Sequence, residues 1–196
     1  MKNQQSPTRR TSGFTLIELL VVISIVVVLA ALSFAAVNGA MTKTKTTRGK
    51  SYATNLASAV EAFYSTENFL PDIGNGPVST DSAEGVRLLR VLLAQEANTG
   101  DVMNSRRTIY LDVKESTGRT DGIFYGTTGG DTVQGMFDPF GNPYFVVLNT
   151  EYDRSLQFSM GGQQYILRGE NVAVYSAGAD RIEGTKDDIT TFNRMQ

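Results

Sequence analysis

Two stretches of the sequence carry side chains whose types and spacing could do chemistry. The first is Gly13-Phe14-Thr15-Leu16-Ile17-Glu18, where a carboxylate stands four residues into an apolar run that lasts to Val37 and holds no other charge. An acid at the centre of a membrane helix costs about 2.5–3.5 kcal/mol, so Glu18 asks for a partner. The second runs from Tyr175 to Ile189 and collects Asp180, Glu183, Asp187 and Asp188 around Gly178 and Gly184. Oxygen-rich loops after a strand suit a hard cation, since Ca²⁺ takes about 6–8 oxygen ligands from carboxylates, carbonyls and water. The spacing matches neither an EF-hand nor a nonapeptide repeat. On composition alone the competing reading is a solvated acidic turn.

The composition removes other chemistries. The chain has no histidine and no cysteine. A Ser-His-Asp site is therefore excluded, the commonest zinc ligands are missing, and any metal is expected to be a hard ion held by oxygens. No disulfide can staple the fold. A net charge of −2 gives no reason to expect nucleic acid. No glycine fingerprint for a nucleotide is present, and the chain is read as a non-enzyme. With 41% hydrophobic and 19% charged residues in 196, one globular domain with an appendage is the expectation.

The elements that must position these groups begin at the N-terminus. Residues 1–13 carry Lys2, Arg9 and Arg10 and no acid. Residues 14–37 form an apolar run that spans roughly 36 Å as a helix, enough to cross a bilayer with some tilt. Lys43, Lys45, Arg48 and Lys50 lie beyond it, so flanking charge does not decide the orientation. One reading is a secretory signal peptide cut near Ala35-Ala36, although the run exceeds the usual apolar core of about 7–15 residues.

The other reading rests on the junction. Gly13-Phe14-Thr15-Leu16-Ile17-Glu18, with its short basic leader and long apolar helix, resembles the class III leader of type IV pilins and type II secretion pseudopilins. The resemblance implies that a membrane peptidase cuts after Gly13 and methylates the new terminus at Phe14. The ammonium so created would stand one helical turn from Glu18 on the same face. In that family the glutamate pairs with the terminus of a neighbouring subunit, so a Glu18→Ala change should block assembly and spare cleavage. The proline common in such helices is absent from Ser33-Phe34-Ala35-Ala36, where Gly39 could supply flexibility.

Beyond the apolar run, Leu56, Val60, Phe63 and Tyr64 recur at helical spacing and predict an amphipathic continuation over 38–71, stopped by Pro71, Gly74 and Gly76. Asp81-Ser-Ala-Glu84 reads as a capping-box variant ahead of a second helix through Leu93, closed by Asn98, Gly100 and Asp101. Residues 108–113 alternate and predict a strand. Residues 116–135 have turn composition, with Ile123-Phe124-Tyr125 a short strand or an ordered loop. Asp138-Pro-Phe-Gly-Asn-Pro-Tyr144 is a tight turn before a strand at 144–148, and Tyr165–Arg168 and Val172–Gly178 supply further strands. The expected architecture is α+β: a long helix on a small, mostly antiparallel sheet.

Three of these segments are similar to the major, G-type pseudopilin: the end of the long helix at 59–72, the turn at 138–144 and the acidic loop at 175–193. The last implies calcium. By position, Asp180, Asp187 and Asp188 would be the carboxylate ligands, with backbone carbonyls near Tyr175, Ser176 and Lys186 completing the shell. Arg181 departs from the pattern, which has glycine there, and the loop is shorter. The insert at 72–137 is not standard. The resemblance as a whole implies a single-pass inner-membrane subunit, anchored through 14–37, with residues 72–196 in the periplasm. Its partners would be copies of itself in a helical fibre, the prepilin peptidase, the inner-membrane assembly platform and minor pseudopilins. The alternatives are a type IV pilus or minor pilin subunit, or an exported calcium- or carbohydrate-binding domain behind an ordinary signal peptide.

Overall fold

The computed structural model describes residues 13–97, 102–126 and 132–193, with the backbone alone at 32–36 and 38. The chain divides into two compact units, residues 1–41 and 42–196. Helix α1, Leu16–Glu67, begins in the first and ends in the second. Among the described residues no helix is long and apolar enough to cross a membrane. The expected span at 14–37 includes residues 32–36, whose side chains lie outside the described set.

In the first unit the described α1 side chains up to Ala31 are all exposed, with Leu16 at 88% and Ile17 at 71%. In the second unit α1 is amphipathic as its spacing predicts. Tyr52, Ala53, Leu56, Ala59, Val60 and Phe63 are buried on one face. The helix stops four residues before Pro71, because Asn68 takes a left-handed conformation at φ 61° and its N–H bonds the Tyr64 carbonyl. Asparagine tolerates that conformation and serves as a helix terminator.

The second unit stacks three layers. Strands β1 (Val78–Ser79), β5 (Phe145–Leu148), β8 (Val172–Ser176) and β9 (Ile189–Thr190) form an antiparallel sheet in the order β1-β5-β8-β9. Val146, Leu148, Val172 and Val174 face a core shared with α1 and with α2 (Ala83–Leu92). Val147, Ala173 and Tyr175 alternate to the other face, where the hairpin β6–β7 (Ser155–Met160, Gln163–Arg168) covers them with Leu156, Phe158 and Met160. Strand β8 is thus buried on both faces, which explains its apolar run Val172–Tyr175. Tyr175 lies stacked between Phe145 and Phe158, with ring centroids 5.1 and 6.1 Å away.

The insert departs from expectation in three places. Residues 108–113 alternate but join no ladder. The N–H groups of Tyr110 and Leu111 bond the Leu92 carbonyl at the end of α2 instead. The supposed turn region holds β2 (Glu115–Ser116), β3 (Gly122–Gly126) and β4 (Thr132–Phe137), a separate three-stranded sheet in which only β2–β3 is parallel. Helix α2 is capped by Ser82, whose hydroxyl accepts the Gly85 N–H at 3.1 Å, while Asp81 accepts from Ser79. It ends at Leu92, and the expected stop at Asn98, Gly100 and Asp101 lies outside the described residues.

Candidate functional site

The first site is the start of α1. Thr15 and Glu18 bond each other reciprocally. The Glu18 Oε2 accepts the Thr15 N–H at 2.8 Å and the Thr15 hydroxyl at 2.7 Å, and the Thr15 Oγ1 accepts the Glu18 N–H at 3.3 Å. This is a capping box, in which two N–H groups that a helix start leaves unpaired are satisfied by side chains three residues apart. The Thr-x-x-Glu spacing announced it, yet sequence reasoning weighed Glu18 only as the partner of a charged terminus or as a side chain snorkelling to the headgroups. Gly13 and Phe14 stand immediately before the cap. Phe14 is 76% exposed, and no neighbour crowds Gly13.

The second site is the C-terminal loop, and a buried polar lock lies beneath it. Asp138 is fully buried. Its Oδ1 accepts the N–H groups of Phe140 and Asn142, at 2.8 and 2.9 Å. Its Oδ2 accepts the Asn142 side-chain amide at 3.0 Å and the Ser176 hydroxyl at 2.8 Å. The same Asn142 amide donates to the Gly178 carbonyl at 2.6 Å. Four donors surround one carboxylate, which is how a buried charge is kept from a prohibitive desolvation cost. The adjoining Tyr144 hydroxyl donates to the Gly49 carbonyl of α1 at 2.9 Å, and burial, followed by the neighbouring Asp138, Tyr52 and Asp121, pushes that phenol far above its ordinary range. The turn expected merely to shape a hairpin therefore ties together the helix, the central sheet and the loop.

Within the loop, Asp187 Oδ2 accepts the N–H groups of Ala179 and Asp180, at 2.7 and 2.8 Å. Its Oδ1 accepts the Thr185 hydroxyl at 2.7 Å. Desolvation alone would raise this carboxyl, but the hydrogen bonds from Thr185, Asp180, Ala179 and its own N–H outweigh it and hold the group at about 2. Asp188 Oδ2 accepts the Gly184 N–H at 2.9 Å, and Asp180 Oδ1 accepts the Ile182 N–H at 2.8 Å. Gly178 is required by geometry. Its φ is +66°, and a Cβ there would stand 2.2 Å from the Asp187 carbonyl. Arg181 adopts the glycine conformation its position calls for, with φ 64°, and its guanidinium reaches the Phe140 carbonyl at 3.5 Å.

The structure thus brings Asp187, Asp188 and Asp180 into one loop, each turned to backbone N–H groups. Ser176 lies under the loop, fully buried and turned to Asp138. Among the described residues no three acidic side chains converge on a point where they could hold a metal ion.

Comparison with known families bears on the first site. Residues 8–34 match the family model of the prokaryotic N-terminal methylation motif. The chain carries the N-terminal signal of a type IV pilin-like precursor. The matched segment contains Gly13, Phe14 and the Thr15–Glu18 capping box, and this kind of signal is read by prepilin peptidase. Pilin-like proteins with this motif are structural subunits, and the α+β arrangement of the second unit is consistent with a pilin-like fold. No curated protein and no solved structure matches the chain.

Proposed function

We propose that the protein is a pseudopilin. It is cut between Gly13 and Phe14, N-methylated on Phe14, held in the inner membrane through residues 14–37 and polymerised into a periplasmic pseudopilus that serves type II secretion. The observation that carries this reading is the methylation motif on a helix start whose apolar side chains are all exposed and whose only charge is Glu18. An apolar surface of that extent needs lipid or neighbouring subunits to cover it. In the uncut chain the Glu18 carboxylate is satisfied by Thr15. Cleavage creates an ammonium next to that cap. Two charges that are each costly in an apolar medium lower one another's cost when paired, which favours a neighbour's terminus as the carboxylate's partner in a fibre. The choice of pseudopilin over pilus is supported by the resemblance of the 138–144 turn and the 175–193 loop to the major pseudopilin.

Mass spectrometry of the mature N-terminus tests the processing. Methyl-Phe14 is expected, and a start near Val37 would make residues 1–36 an ordinary signal peptide. Glu18→Ala is expected to be cleaved like the parent but to lose at least tenfold in fibre yield. Normal fibres from that variant would sink the pairing.

A further inference from the structure

We infer that the C-terminal loop, residues 178–188, is closed by its own carboxylates, with Asp187 as the keystone, and holds its shape without a metal ion. The inference does not rest on the proposed function. It sets the resemblance to a calcium loop against the geometry of this chain.

The donor set expected for calcium is turned elsewhere. The Asp187 Oδ2 lies between two N–H groups, and its Oδ1 faces the Thr185 hydroxyl. Amide hydrogens are the positive ends of peptide dipoles. An oxygen whose lone pairs point at two of them sits in surroundings arranged for an anion, and a dication there would meet those dipoles head-on. Asp188 and Asp180 each hold a backbone N–H as well. The Ser176 hydroxyl is committed to Asp138 beneath the loop, and the Gly178 carbonyl is taken by Asn142. Each of the three carboxylates that would join a calcium shell therefore already satisfies a protein donor. Arg181 adds a cation at the position where the resembled loop has glycine.

The same bonds explain how the loop closes. Asp187 joins the loop's first turn, at Ala179 and Asp180, to its last, at Thr185. Asn142 fixes the Gly178 end from below. In a chain with no cysteine, this carboxylate-to-amide clasp takes the place of a staple. Charge-assisted hydrogen bonds of this kind are about twice as strong as neutral ones.

The test uses the full chain in detergent. Thermal melting is followed by circular dichroism in millimolar calcium and in chelator, for the parent, Asp187→Asn and Thr185→Val. The expected result is one parent midpoint in both media. Both variants should melt lower than the parent by the same few degrees in each, about 2–4 °C per kcal/mol lost for a protein of this size. A ligand that binds only the folded state must raise the midpoint. A rise with calcium that disappears in Asp187→Asn overturns the inference and makes the loop a calcium site. A rise that survives Asp187→Asn places the ion elsewhere and leaves the loop metal-free. Should the variants fail to fold, hydrogen exchange on the parent decides. The Ala179 and Asp180 amides should be equally protected in both media, and protection seen only with calcium overturns the inference.

Discussion

The two most apolar stretches of the chain meet opposite fates. The start of α1 exposes every described side chain up to Ala31, whereas β8, Val172–Ser176, buries every one of its residues. The helix start carries Glu18 and Ser24, the latter bonded to the Val21 carbonyl of its own helix, and β8 carries Ser176. Ser176 finds Asp138 inside the fold. Among the described residues Glu18 finds Thr15, its neighbour in the same helical turn. Apolar sequence therefore does not say where its partner lies. β8 carries its partners in α1 and in the β6–β7 hairpin of its own unit, while the helix start must be covered from outside that chain segment. Where the polar group looks for its bond tells the two apart.

If that contrast is sound, damage to the internal lock and damage to the helix start should be separable. Asp138→Ala should have the largest effect on folding. It leaves the N–H groups of Phe140 and Asn142, the Asn142 amide and the Ser176 hydroxyl without their acceptor in a buried site. Unpaired buried donors cost about 1–3 kcal/mol each, and a disrupted buried network places the total at about 3–5 kcal/mol. Urea denaturation should show that loss while cutting at Gly13–Phe14 proceeds as in the parent. Glu18→Ala should do the reverse, leaving the urea midpoint of the folded unit where it was. A variant at Asp138 that unfolds like the parent would break the comparison.

Gly85→Ala ranks next. Helix α2 packs so closely on β1 that a Cβ at Gly85 would stand 2.0 Å from the Ser79 carbonyl oxygen and 2.7 Å from the Thr80 Cα. Both are backbone atoms, and Thr80 is fixed by its hydroxyl bond to Met136 and by the Tyr144 N–H, so neither can yield cheaply. Alanine's better helix propensity returns about 1 kcal/mol, and overpacking costs about 1–3 kcal/mol even in favourable cases. Because the blocking atoms are backbone, the upper half of that balance applies, and a net loss of about 1–2 kcal/mol is expected, read in the same urea titration. No loss would mean that the α2–β1 contact shifts freely.

The N-terminal site was legible because its chemistry is local. Gly13, Phe14, Thr15 and Glu18 sit within six residues, and the capping box could have been found from Thr-x-x-Glu alone. The amphipathic half of α1 was legible from its period. The lock was not, because Asp138 and Ser176 are 38 residues apart, as Asn142 and Gly178 are 36. The turn and the loop were each noticed, but nothing in either names the other. Strand β6 was overlooked although Ser155–Met160 alternates cleanly between exposed and buried. Residues 108–113 alternate as well and form no strand, since the Leu92 carbonyl claims their amides. There alternation does not even report burial, since Ile109 is exposed, and only a partner's free edge makes such a segment a strand.

The smallest expected effect lies at Arg181 and has the opposite sign. Its backbone holds φ 64°, a conformation that costs a residue with a Cβ about 1–2 kcal/mol. Glycine adopts it freely, although its greater freedom in the unfolded chain takes back about 0.4–1 kcal/mol. The bond to the Phe140 carbonyl is long and solvent-exposed, so little is lost with it. Arg181→Gly should therefore raise the melting midpoint by about 1–3 °C. It also restores the glycine of the calcium loop that this segment resembles, while leaving the Asp187 clasp intact. The rise should then be the same in calcium and in chelator. A gain that appears only with calcium would show that the arginine, and not the carboxylate bonds, keeps the loop free of metal.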